Sequence, residues 1–260
     1  MASSDPSLVS NCCLRGFQWD GTPTGSVTTI TKTGNSVYVT GTNKSAGVML
    51  IHDLFGWTFA NTRLLADHIA REANVTVYVP DFFGGNSLPV DLLLAGRWGE
   101  MDVRGFVARN NREIREPEIF GVARNVRAIH DRVGAIGFCY GGWATFRLGA
   151  KEHLDANGRG LVDCISVGHP SLLTTKDIDE VAVPVQMLAP EFDHVYTAEL
   201  KMHTFETLQK AKVPFDFQFY PGVEHACFIR GDPDKKGERD AMTRGKNAAV
   251  AWLKQWLHDE

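Results

Sequence analysis

Apolar residues along this chain gather in short runs, and between the runs they recur at helical spacing. Ala46 to Ile51, Val75 to Val79, Val133 to Phe138, Leu161 to Val167 and Pro184 to Ala189 have the length and apolar character of buried strands. Phe215 to Tyr220 adds another, with Phe215, Phe217 and Phe219 on one face. Helices are predicted between them. Leu65, Ala66, Ile69 and Ala70 mark one within Phe59 to Ala73, and Ile119, Val122, Ala123, Val126 and Ile129 mark the next. Others follow at Gly141 to Ala150, at about 198–210 and at Lys236 to Leu257, the last with a stripe of Ala241, Ala248, Ala249, Trp252, Leu253 and Trp256.

Ahead of these units, Ser26 to Thr31 and Ser36 to Thr40 alternate around Lys32-Thr33-Gly34-Asn35, which predicts an amino-terminal hairpin at about 26–41. Gly84 to Glu116 is irregular and mixed in charge, with a short helix at Asp91 to Gly96. Long connections in compact domains tend to be functional, so 84–116 is a lid candidate. Strands alternating with helices imply an α/β fold. The expected architecture is a mainly parallel central sheet with helices on both faces, in a single domain over 1–260. Reactive groups in such sheets gather beyond the carboxyl ends of the strands.

Composition narrows the function classes. With 43% hydrophobic and 22% charged residues, disorder is excluded, and a net charge of −4 without a basic stripe argues against a nucleic-acid partner. The apolar runs are far shorter than the ~20 residues of a membrane-spanning helix, so no membrane partner is expected. Residues 1–10 lack the basic and apolar regions of a secretory signal, which makes the cytoplasm the expected compartment. Five cysteines (Cys12, Cys13, Cys139, Cys164, Cys227) form an odd set with no C-x-x-C pair. That set suits free thiols in a reducing compartment better than disulfides or structural zinc, and no metal or cofactor is expected.

One thiol stands apart. Gly137-Phe138-Cys139-Tyr140-Gly141-Gly142 runs from a strand end into a helix, the G-x-nucleophile-x-G elbow with Cys in place of Ser. A helix amino terminus lowers a thiol pKa, although a buried Cys at a Gly-rich packing contact has the same local pattern. Pro190-Glu191-Phe192-Asp193-His194 follows a later strand, and Pro221-Gly222-Val223-Glu224-His225 follows the strand after it. Nucleophile, acid, then His is the chain order of α/β-hydrolase triads. Cys139, Asp193 and His225 are therefore the candidate catalytic residues, ahead of Glu191 and His194 as local competitors. The loop after Ile51 and the residue after the nucleophile supply oxyanion donors in such folds, here the N–H groups of Leu54 and Tyr140. His52 reads as a core histidine, and Asp53 alone as a turn carboxylate.

Together these stretches resemble the dienelactone hydrolase family, particularly its fungal branch. The resemblance is carried by Asn11-Cys12-Cys13, Asp20 to Gly25, His52 to Trp57, Pro80 to Phe83, Gly137 to Gly142, Gly168-His169-Pro170-Ser171 and Tyr220 to Phe228, spread over nearly the whole chain. It implies an α/β-hydrolase fold and a Cys139-His225-Asp193 triad with Leu54 and Tyr140 as oxyanion donors. It also implies a catalytic role for Asp53, where the family commonly has a glutamate that contacts the resting thiol; aspartate is one methylene shorter. Of the family's two substrate-carboxylate arginines, one position is occupied here by Gly84-Gly85. The other is matched by Arg230, displaced by one residue. Phe82, Phe83, Trp143 and Phe228 are candidate apolar pocket walls. The expected activity is hydrolysis of a small lactone or ester through an acyl-cysteine, by a monomer or homodimer. Competing readings are a Cys-dependent amidase and a catalytically silent protein of this fold that binds a small molecule.

Overall fold

The computed structural model describes residues 14–258. Asn11, Cys12 and Cys13 lie outside the described residues. Among the described residues, eight strands form one sheet: β1 (Ser26–Thr29), β2 (Ser36–Thr40), β3 (Ala46–Ile51), β4 (Thr76–Pro80), β5 (Arg132–Phe138), β6 (Cys164–Gly168), β7 (Val185–Phe192) and β8 (Phe215–Glu224). Their spatial order is β1-β2-β4-β3-β5-β6-β7-β8. The β1–β2 hairpin is antiparallel and joins the sheet through an antiparallel β2–β4 pair, while every pair from β4 to β8 is parallel.

Burial explains why β3 and β5 sit centrally. All six β3 residues are buried, and alternate side chains feed opposite faces: Met49 and Ile51 into one apolar cluster, Val48 and Leu50 into the other. Helices α1 (Ala60–Ala73) and α8 (Lys236–Leu257) cover the second cluster with Leu65, Ile69, Trp252 and Leu253. The first is covered by α4 (Arg112–Ile129), α5 (Gly141–Leu148), α6 (Thr175–Asp179) and α7 (Ala198–Ala211). Each fully buried aliphatic side chain contributes about 1.5–3 kcal/mol, so the two-sided core holds the strand ends in a fixed array.

The segment predicted as irregular over 84–116 is more ordered than its sequence suggests. It contains α2 (Val90–Leu94) and α3 (Val103–Arg109), and its last five positions already belong to α4, whose N-cap Asn111 accepts from the Ile114 N–H. Pro117, inside α4, disguises that helix start, because proline in a helix interior normally signals a break. The segment is tied to the elbow: the Phe83 ring meets those of Phe106 and Tyr140, and the Tyr140 hydroxyl donates to Asn110 O at 2.6 Å.

Candidate active site

Cys139 sits in the turn between β5 and α5 with φ of 50°, left-handed backbone that side-chain-bearing residues adopt at a cost. Close packing on both sides holds it there. A Cβ on Gly141 would lie 2.2 Å from Ile51 O, and one on Gly142 would lie 2.4 Å from the Pro170 Cβ. Only glycine lets β3 and the loop after β6 approach the start of α5 so closely. The Cys139 N–H donates to Gly168 O, and its carbonyl accepts from Gly142 and Ser171. The thiol is buried, with Sγ 3.3 Å from Ser171 Oγ.

Asp193 and His225 follow neighbouring strands. Opposite Pro190 to Phe192 of β7, strand β8 spans Tyr220 to Glu224, a bulge at Pro221-Gly222 that Glu191 closes by accepting from the Gly222 N–H at 2.7 Å. The longer β8 path brings His225 level with the end of β7, where its N–H donates to Phe192 O. His225 Nδ1 then lies 2.9 Å from Asp193 Oδ2, with both side chains fully buried. Asp193 Oδ1 accepts from the Val195 and Tyr196 N–H groups. Burial pushes the Asp193 carboxyl up, but the His225 charge and hydrogen bond, with the Tyr196 N–H, outweigh it and hold the group below its ordinary value. Glu191 and His194 are exposed, so the imidazole pairs with Asp193 rather than with either competitor.

After β3, the Leu54 N–H points to no acceptor among the described residues, and neither does the Tyr140 N–H at the start of α5. Both residues are buried, which leaves two backbone donors uncommitted at the ends of β3 and β5. Asp53 does not reach the sulfur. Its Oδ2 accepts from Arg230 Nε at 2.6 Å and its Oδ1 from the Phe55 N–H at 2.9 Å. The Arg230 guanidinium, fully buried, also donates to Arg15 O and lies 4.7 Å over the Phe55 ring. Asn61, from the first turn of α1, braces this region by donating to the carbonyls of Phe17 and Ile229.

The candidate pocket walls are core residues. Phe82 and Trp143 are fully buried, Phe82 6.0 Å from the His52 ring and Trp143 under the Arg112 guanidinium at 4.9 Å. His52 is likewise a core histidine: Nδ1 lies 2.9 Å from Asp53 O, and burial lowers its pKa. Phe228 stacks on His169 at 5.5 Å.

Two residues without an assigned role turn out to sit at the centre. His169, just past β6, is fully buried, and its ring lies 4.8 Å from that of His225. Neither ring nitrogen has a hydrogen-bond partner among the described residues, and burial followed by the His225 charge lowers its pKa well below the ordinary value. Ser171 follows two residues later. Both lie in the Gly168-His169-Pro170-Ser171 stretch directly beyond β6, where reactive groups gather in such sheets. Backbone strain carries the same signal: of the six non-glycine residues with positive φ among the described residues, Cys139, His169, Leu172 and Ala226 all border the site.

No three His, Cys, Asp or Glu side chains among the described residues converge as a metal-holding group. Cys164 and Cys227 are free and buried, and burial pushes both thiols well up. No helix among the described residues is long and apolar enough to cross a membrane.

Comparison with known proteins adds a family. The profile of the dienelactone hydrolase family matches residues 35–257. A carboxymethylenebutenolidase homolog of Rattus norvegicus is 39% identical over 232 residues, covering 85% of this chain and 87% of its own. Hydrolase tropI of Talaromyces stipitatus is 25% identical over 256 residues, covering 96% and 97%. Among solved structures, a dienelactone hydrolase from Anabaena variabilis superposes with a TM-score of 0.64 at 14% identity, over 90% of this chain and 98% of that one. Carboxyl esterase 2 of Tuber melanosporum gives 0.64 at 13%, over 94% and 91%.

Proposed function

The chain belongs to the dienelactone hydrolase family and is a hydrolase of the ester and lactone class, and on that premise we propose that it works through an acyl-cysteine on Cys139. The observation that carries this reading is the buried His225–Asp193 pair, its imidazole 4.8 Å from the ring of His169 in the same loop whose Ser171 hydroxyl meets the Cys139 sulfur. A carboxylate on Nδ1 selects the tautomer whose Nδ1–H faces Asp193, leaving Nε2 to accept a proton.

In the proposed reaction His225 takes the thiol proton and the thiolate attacks the carbonyl carbon of a small ester or lactone. The N–H groups of Leu54 and Tyr140 receive the charge that develops on the carbonyl oxygen, an interaction whose loss typically costs about 100-fold or more in rate. Collapse expels the alkoxide, which takes its proton from His225; in a lactone it stays tethered. Water, giving its proton to His225, then cleaves the thioester and releases the acid. Arg230 has a structural part in this reading, since its pairing with Asp53 fixes the turn that presents the Leu54 N–H. The buried free thiols suit a reducing compartment, in keeping with a cytoplasmic enzyme.

A pulse of p-nitrophenyl acetate followed by intact mass measurement tests the proposal. The expected result is one acetyl group, located on Cys139, and loss of turnover in Cys139→Ala with the fold retained. Undiminished ester hydrolysis by Cys139→Ala would refute it.

A further inference from the structure

In this family the sulfur's expected neighbour is a carboxylate, but here Asp53 is committed to Arg230 and to the Phe55 N–H. The polar group at the Cys139 sulfur is instead the Ser171 hydroxyl, at 3.3 Å. That hydroxyl has no other hydrogen-bond partner among the described residues. It is also held in place. The Ser171 N–H donates to Cys139 O at 2.7 Å, Cys139 N–H donates to Gly168 O at 3.2 Å, and His169 N–H donates to Leu188 O at 3.1 Å. Pro170 packs against the Gly142 backbone, and the residues at either end of the Pro170-Ser171 pair, His169 and Leu172, have φ of 37° and 58°. A loop bonded on both sides and held in sparsely populated conformations keeps the hydroxyl against the sulfur.

Chemistry then sets the direction of the hydrogen bond. Beside a neutral thiol a hydroxyl can donate or accept, but a thiolate can only accept. We infer that Ser171 is a positioning residue whose hydroxyl donates to the Cys139 thiolate and favours it over the thiol. The inference rests on Cys139 being the nucleophile. It applies twice in the cycle. When the S–C bond forms, the thiolate is the attacking group, its proton having passed to His225, which gives it to the alkoxide that departs on collapse. When water attacks, the S–C bond breaks and the sulfur leaves as a thiolate, to be reprotonated from His225. Ser171 keeps its own proton throughout.

Other charged and titratable groups on the elements around the elbow include Tyr140 beside it, His52 and Asp53 after β3, Asp81 after β4, His169 after β6, Asp193 after β7, and His225, Cys227 and Arg230 after β8. Burial lowers the His169 pKa, which disfavours a positive charge there that could stabilise the sulfur in place of Ser171.

Thiolate absorbance in the ultraviolet, titrated against pH and taken as the difference from Cys139→Ala in the same background, reports this sulfur alone. Ser171→Ala is expected to displace the titration upward by about one pH unit, a tenfold loss of thiolate below the midpoint, as removal of a charge-assisted donor predicts. The pH profile of kcat/KM for p-nitrophenyl acetate should move with it, and Ser171→Thr, which keeps the hydroxyl, should restore both. Ser171→Gly gives the same comparison should the Ala variant fail to fold. Superimposable titrations of wild type and the hydroxyl-free variants, or a Thr variant displaced as far as Ala, would overturn the inference. Hydrolysis retained in Cys139→Ala would instead overturn the nucleophile assignment, and that outcome is read separately.

Discussion

The Arg230–Asp53 pair offers a prediction whose size follows from its burial. Both side chains are fully buried, and the guanidinium holds Asp53 Oδ2 at 2.6 Å while stacking over Phe55. Arg230→Met preserves most of the stem volume but strands a carboxylate whose only other described partner is the Phe55 N–H. Removing one member of a buried pair typically costs about 3–5 kcal/mol, because the remaining charge is left without solvent or counter-ion. At roughly 2 °C per kcal/mol for a chain of this size, the melting temperature should fall by about 6–10 °C. Asp53→Asn should cost less, since an amide oxygen still accepts from Arg230. In the double variant the loss should fall short of the sum by about 2–3 kcal/mol, the coupling expected of groups in direct contact. Urea unfolding of the four proteins measures that coupling. Because the pair braces the turn carrying Leu54, kcat should fall for neutral and anionic esters alike. Singles that add to within about 0.5 kcal/mol, or an Arg230→Met melting point within about 2 °C of wild type, would refute the reasoning.

Two further outcomes follow from the site. Asp193→Asn keeps an acceptor for the Val195 and Tyr196 N–H groups but loses the carboxylate that selects the His225 tautomer. Steady-state kinetics should show kcat reduced by about 10³–10⁴-fold with the fold retained; a loss under tenfold would remove Asp193 from the mechanism. Stability should also depend on pH through the buried histidines. His52 and His169 have folded-state pKa values below the ordinary ~6.5, so the unfolded chain takes up protons first as pH falls. Their contribution is intact above about pH 6.5 and is lost as pH drops towards their folded values. Melting temperatures between pH 7 and pH 5 should decline, less steeply in His169→Phe, and an identical slope in that variant would exclude the histidine as a source.

Particular residues show why some of this was legible in the linear chain. Ala46–Ile51 reads as a strand because six consecutive buried side chains suit only an element covered on both faces. The Cys139 elbow is legible because its glycines answer to close contacts that only glycine allows. The extent of α4 was hidden by Pro117, and β8 runs to Glu224 through a Pro-Gly bulge that local rules read as a strand's end.

The pattern of apolar runs, by itself, determined the alternating α/β architecture and the ordering of Cys139, Asp193 and His225 at strand ends, while the glycines around Cys139 set it apart from the other four thiols as the candidate nucleophile. Those features depend on period and local backbone chemistry, which the linear chain carries in full. Tertiary structure alone decided which polar groups meet. Asp53 and Arg230 are 177 residues apart, and Ser171 is 32 residues from the sulfur it touches. Such pairings depend on sheet register, on the β8 bulge and on side-chain reach in a packed interior. In that interior the Asp53 carboxylate meets a guanidinium and the Cys139 sulfur meets a hydroxyl.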